Sequence, residues 1–228
     1  MTYNTDTSQI QGEEFLKGGE FKYWVFSFGG CGTNYMRKIL NIFKLKNRSI
    51  INRKNSNLIK TVHLHYPPKI KNKKFVAIYI FGDPYLSLYS IFRRRLYKTI
   101  NILAGKEIYQ GKKNVDYNTF VKNLEDDLLR FKNMFMNWFN SEAQYPIIFI
   151  NYSKLNKSRI IYICKKIEKD FGIEINYKEI DKFKTRVSKI ENFSKSEIRN
   201  LKKIYGIFRE YLSELPDFWV KYPNNINK

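Results

Sequence analysis

The sequence predicts an α/β domain built on a mainly parallel sheet, on three observations. Short, continuous apolar runs alternate with segments of helical periodicity along the chain. A glycine-rich turn joins the first apolar run directly to the first helical segment. No internal repeat is present, so neither a solenoid nor a propeller is expected. The expected architecture is three-layered and P-loop NTPase-like, with a sheet of about four to five strands flanked by helices.

Residues 1–20 read as a flexible N-terminal arm, punctuated by Gly18-Gly19. FKYWVFSF (21–28) is rich in aromatics and β-formers and predicts a buried strand. Gly29-Gly30-Cys31-Gly32 follows, then TNYMRKILNIFKL (33–45), whose apolar positions have helical spacing. NLIKTVHLH (57–65) predicts a second strand stopped by Pro67-Pro68. KFVAIYIF (74–81) is the strongest strand, as expected for the centre of a parallel sheet. Gly82-Asp83-Pro84 turns it into a helix, with Pro84 suited to a first helical turn. Residues 103–117 read as a polar loop, and 118–140 as one aromatic-rich amphipathic helix. YPIIFINY (145–152) predicts another buried strand, and 158–172 a helix closed by Gly172. Ser194 and Glu197 have the spacing of a capping box at the head of a helix over 193–212. Residues 21–220 are thus expected as a single domain, with 221–228 a frayed tail.

Composition narrows the class. Of 228 residues, 43% are hydrophobic and 17% aromatic, which supplies a packed core and excludes wholesale disorder. No apolar run approaches the ~18 residues that span a bilayer, and the polar, acidic beginning is not a secretory signal. A cytoplasmic location is expected, and Cys31 and Cys164 make no disulfide framework. The net charge of +21 points to an anionic partner, although the lysines are spread along the chain.

In an open parallel sheet, ligands bind at the carboxyl ends of the strands. That rule places loop 29–34, segment 63–68 and turn 82–90 on one rim. The glycines let backbone N–H groups approach a phosphate closely, and Thr33 adds a hydroxyl. The absence of Gly-Lys-Ser/Thr separates this loop from a Walker A motif and argues against a small kinase.

Taken together, these segments resemble the sulfotransferase family, which uses 3'-phosphoadenosine 5'-phosphosulfate (PAPS) as donor. SFGGCGTNY (27–35) lies over that family's phosphosulfate loop, with Gly32-Thr33 in register. FGDPYLSLYS (81–90) matches the family's second turn at Asp83, Pro84 and Ser90. IKTVHLHYPP (59–68) is similar to its Lys-Thr-His-Leu-Pro segment, YPIIFINYSKL (145–155) to its Tyr-Glu-Asp-Leu strand end, and 186–206 to its late Arg-Val-Gly-Lys-Trp segment. The resemblance covers most of 21–212. The chain departs from the family at Gly30 and Gly82, where cations are usual, and at Ser153 and Ile190. Lys60, Arg37 and the run Arg93-Arg94-Arg95 are the basic residues available to replace those cations.

The resemblance implies sulfuryl transfer from PAPS, without a metal, to a small-molecule or glycan hydroxyl or amine. It implies that Gly29, Gly30, Cys31, Gly32, Thr33 and Asn34 hold the phosphosulfate, with Ser90 and Arg186 on the 3'-phosphate. The chain's two histidines, His63 and His65, are the candidate bases, because imidazole accepts a proton near neutral pH. His63 is preferred, and the two would share a side of an extended strand. Thr33 is the third catalytic candidate.

Two other readings compete. Cys31 and Arg37 are six positions apart, as in a cysteine phosphatase loop, although Gly30 and Asn34 stand where such loops carry His and Gly. A non-catalytic nucleic-acid or anion binder would use charge and exposed aromatics, but most aromatics here have core-facing spacing. Nucleic acid is therefore not the expected partner.

Overall fold

The computed structural model describes residues 5–18, 21–42, 62–72, 74–108, 117–182 and 190–224. Four strands form one sheet: β1 (Tyr23–Ser27), β2 (Val76–Phe81), β3 (Ile147–Asn151) and β4 (Phe218–Lys221). Their order is β1-β2-β3-β4. The first three are parallel, and β4 is antiparallel to β3. The helices are α1 (Thr5–Gly18), α2 (Thr33–Ile39), α3 (Pro84–Arg93), α4 (Tyr97–Ala104), α5 (Tyr117–Lys122), α6 (Phe131–Phe139), α7 (Lys157–Phe171), α8 (Tyr177–Ile180) and α9 (Lys195–Glu214). The α/β class and the mainly parallel sheet are as the sequence predicts.

Every residue of β1, β2 and β3 is buried, which is why these strands read as unbroken apolar runs. Register places Phe26, Tyr79, Phe149 and Trp219 side by side on one face. Phe149 and Trp219 stack at 4.7 Å, and Trp138 of α6 covers Phe26 and Tyr79. Phe208 of α9 meets Phe135 of α6 above this layer. On the opposite face, the Tyr23 hydroxyl donates to the Leu40 carbonyl at the end of α2 (2.6 Å). α8 packs on α2, and its preceding Asn176 N–H donates to Ile39 O.

Local signals act at three helix ends, where Pro84, Gly172 and the Ser194–Glu197 box were expected and the Asp83 cap is an addition from the structure. Asp83 caps α3 by accepting from the N–H groups of Tyr85 and Leu86, with Pro84 in the first turn. Gly172 closes α7 in the left-handed conformation. Ser194 and Glu197 form a complete capping box on α9.

Six expectations are corrected. The arm expected over 1–20 contains helix α1, which buries Leu16. The strand expected over 57–65 is not a strand in its described part: Val62 is helical and 63–66 bend, while 57–61 lie outside the described residues. α2 gives way at Leu40, and Asn41 takes a positive φ of 50°. The loop expected from 103 follows helix α4, which runs to Ala104; 109–116 lie outside the described residues. The single helix over 118–140 is two helices, α5 and α6, split where Arg130 turns left-handed and Asp127 accepts from the N–H groups of Phe131 and Lys132. Finally, β4 lies where no strand was expected and reaches into the tail predicted to fray.

Candidate functional site

The carboxyl ends of β1, β2 and β3 meet at one rim, and glycine makes the meeting possible. Gly29, Gly30 and Gly32 have φ of 91°, 67° and 81°. That left-handed region is accessible to glycine at low cost. Space is as restrictive as torsion. A Cβ on Gly30 would lie 2.1 Å from the Ser87 carbonyl oxygen, and one on Gly32 would lie 2.2 Å from the Tyr152 ring. The loop from β1 is therefore pressed against α3 on one side and against the turn after β3 on the other. Gly82 is less confined: its Cβ would lie 2.7 Å from Ser153 Oγ, which accepts from the Asp83 N–H. A side chain at position 30 would run into the Ser87 backbone, whereas at position 82 the near obstacle is only the Ser153 hydroxyl.

Hydrogen bonds pin the same loop from within. The Ser27 and Thr33 hydroxyls bond at 2.6 Å, and Gly29 N–H donates to Ser27 Oγ. His63 Nδ1 lies 2.8 Å from the Ser27 carbonyl. A carbonyl only accepts, so Nδ1 carries the proton and Nε2 keeps its lone pair. Burial, with the nearby Arg37 charge, pushes the His63 pKa down to about 4, so the ring is neutral at pH 7.

A cavity of about 140 Å³ opens beside this loop. Gly30, Gly32, Thr33 and Asn34 line it, together with His63 and two cations, Arg37 and Arg94. Arg37 is buried, its guanidinium 5.6 Å from the centre of the Trp24 ring. Burial lowers its pKa to about 10, which leaves it charged at neutral pH. Arg94 is exposed and stands one turn after Ser90, its backbone N–H donating to the Ser90 carbonyl.

The remaining sequence candidates are placed differently. Gly29 is not among the lining residues; a Cβ there would come within 3.4 Å of Ile91, His63 and Leu103. Ser90 is buried on α3 and does not line the cavity either. His65 is buried beside α4, away from the cavity lining, and its Nε2 has no hydrogen-bond partner among the described residues. Burial, followed by the Arg130 charge, lowers its pKa to about 4. The extended strand that would have set His63 and His65 on one side is not formed over 63–66; His63 lines the cavity and His65 does not. Arg186 and Lys60 lie outside the described residues. Of the arginine run, Arg94 lines the cavity while Arg93 and Arg95 do not.

Cys31 is fully buried, and its thiol donates to the Ile80 carbonyl inside the sheet (3.2 Å). It does not line the cavity, whereas Arg37 does. A phosphatase needs the thiolate and the arginine on one anion, so this arrangement speaks against that reading. Sequence reasoning missed Thr99, which reaches the cavity from α4, and Arg209, which pairs with Asp83 at 2.7 Å from α9. Neither carried a local signal, since both come from helices remote in sequence.

Among the described residues no group of His, Cys, Asp and Glu could hold a metal ion, and no helix is long and apolar enough to cross a membrane. No protein-family model matches the chain, and no curated protein or solved structure matches it significantly.

Proposed function

We propose that the chain transfers a sulfuryl group from PAPS to a hydroxyl or amine acceptor. One observation carries the reading: a single small cavity gathers the glycine loop, a neutral histidine with a free Nε2 lone pair, and two arginines. Its volume of about 140 Å³ suits one tetrahedral anionic group, with the nucleotide lying outward along the rim. Gly32, Thr33 and Asn34 stand at the start of α2, where backbone N–H groups have no acceptor within the helix.

In the proposed reaction, His63 Nε2 takes the acceptor's proton as its oxygen or nitrogen bonds to sulfur. The bond from sulfur to the bridging phosphate oxygen breaks, and adenosine 3',5'-bisphosphate leaves with the electron pair. Arg37 and Arg94 offset the growing negative charge, replacing the cations absent at Gly30 and Gly82. Thr33, oriented by Ser27, donates from the opposite wall. Ser90, a turn before Arg94, is assigned to the 3'-phosphate.

The test is calorimetric titration with adenosine 3',5'-bisphosphate, with AMP as control. Binding that requires the 3'-phosphate, and that weakens about tenfold in Arg94→Gln, supports the donor site. His63→Asn should then keep donor affinity and lose transfer to a screened acceptor. Equal affinity for AMP, or no binding at all, rejects the reading.

A further inference from the structure

We propose that the opposite end of the sheet binds an anionic single-chain amphiphile, an acyl carboxylate being the simplest, in an apolar groove rimmed by lysines. The groove is independent of the donor site: it lies where β1, β2 and β3 begin, not where they end. Segment 66–72 makes it. The backbone of Tyr66 is held on both sides by the Gln9 side chain of α1 (3.0 and 3.2 Å). The Tyr145 hydroxyl, just before β3, donates to the Pro68 carbonyl (2.7 Å). The segment thus becomes a strap across the sheet end, with a recess on each side.

The larger recess holds about 1110 Å³, and its walls include Pro67, Met136, Ala143 and Tyr145. The smaller holds about 630 Å³ and is lined by Leu16, Phe21, Phe171 and Ile173 among others. Lys17, Ile70 and Lys71 line both, so the recesses adjoin beneath the strap. The combined space exceeds the ~300–1,000 Å³ of ordinary small-ligand pockets and suits a long apolar chain.

Charge selects the head group. Lys69 and Lys71 stand exposed on the strap and form no ion pair among the described residues. Lys22 and Lys74 border the smaller recess. Against them stand Glu142, exposed in the wall of the larger recess, and Glu13, which pairs with Lys17 at 3.7 Å. Lys69 and Lys71, which pair with no carboxylate among the described residues, edge the mainly apolar larger recess and complement a molecule with a negative head and a hydrocarbon tail; Lys22 and Lys74 add positive charge beside the more polar smaller recess. A polyanion such as RNA would use the lysines and waste the floor. A bilayer would need apolar side chains that project, whereas these line a concavity.

Calorimetry with dodecanoate below its micellar concentration tests the proposal. The controls are acetate, which has only the head, and dodecyltrimethylammonium, which carries a similar tail with the opposite charge. We expect one dodecanoate per chain and no measurable binding of either control. The double change Lys69→Gln/Lys71→Gln should weaken dodecanoate about tenfold. Ala143→Trp, which fills the larger recess, should abolish binding; Met136→Asp is the alternative if that variant melts below the parent. Three results would overturn the idea: no dodecanoate binding, equal binding of the cationic amphiphile, or binding unchanged in both the lysine and the groove variants. In the first of these cases, association with anionic vesicles would identify a membrane-facing surface instead.

Discussion

Gly30 separates two costs that a glycine replacement usually mixes. Both Gly30 and Gly172 have positive φ, 67° and 61°. A Cβ on Gly172 meets nothing within 4 Å, whereas one on Gly30 runs into the Ser87 backbone. Gly172→Ala should therefore cost only torsion, about 1 kcal/mol. Gly30→Ala adds a clash with backbone that cannot turn away, for a total of about 3 kcal/mol. Urea unfolding of the two variants measures the difference, and equal losses would mean that the loop yields. The histidines give a pH effect at the same scale. His63 and His65 titrate near 4 in the folded chain, below the ordinary 6.5. Between those values the unfolded chain binds more protons, so stability falls as pH drops from 6.5 towards 4 and is unaffected by these groups above 6.5. Each contributes up to about 3 kcal/mol at the acid end of that window. Unfolding midpoints at pH 7 and pH 4.5 should converge in His63→Gln/His65→Gln relative to the parent chain.

At the level of the element, Asp83 links a helix cap to a long-range ion pair. Its carboxylate caps α3 through Tyr85 and Leu86 and accepts from Arg209 of α9, whose guanidinium also lies over the Tyr85 ring at 4.9 Å. Asp83→Ala should cost about 2 kcal/mol and Asp83→Asn about half of that, since asparagine keeps the cap. Equal loss in thermal unfolding would show that the ion pair, not the cap, carries the energy. The turn into α3 was legible because Gly82-Asp83-Pro84 after an apolar run is a local signal, whereas the Asp83 cap itself is known from the structure. The Arg209 partner was not legible, because no rule of spacing joins residues 83 and 209. Helix 118–140 fails for a related reason: its apolar period continues through the break, and the break comes from Asp127 capping α6 beneath a left-handed Arg130. Strand β4 escapes because it is a short, half-buried edge strand whose apolar run, Phe218 to Val220, is only three residues before Lys221, too short to separate from a turn or a helix end.

For the whole molecule, α1 closes the core beside β1. Leu16 is buried, and Phe15 stacks on Phe21 at 5.6 Å next to Trp24. Deleting residues 1–18 should uncover Phe21 and Trp24 and remove the strap's anchor at Gln9. The loss should be about 3 kcal/mol or more, seen as a lower urea midpoint with a changed slope. A midpoint unchanged from the full chain would make α1 an appendage.

What the sequence determined by itself was whatever depends on neighbours along the chain. Full burial gave β1, β2 and β3 their continuous apolar runs, and Pro84, Gly172 and Ser194 marked three helix ends. The glycine loop was legible as a tight strand-to-helix turn. The tertiary structure decided what depends on approach between distant segments. It set the Ser87 backbone against Gly30 and the Tyr152 ring against Gly32, which leaves no room for a side chain at either position. It brought His63, Arg37 and Arg94 to one cavity, left His65 outside it, and turned the Cys31 thiol into the sheet. It also laid 66–72 back to the far end of the sheet, where the groove forms. Side-chain reach across the fold is not encoded in periodicity, so those choices become visible only when the packed chain places the partners.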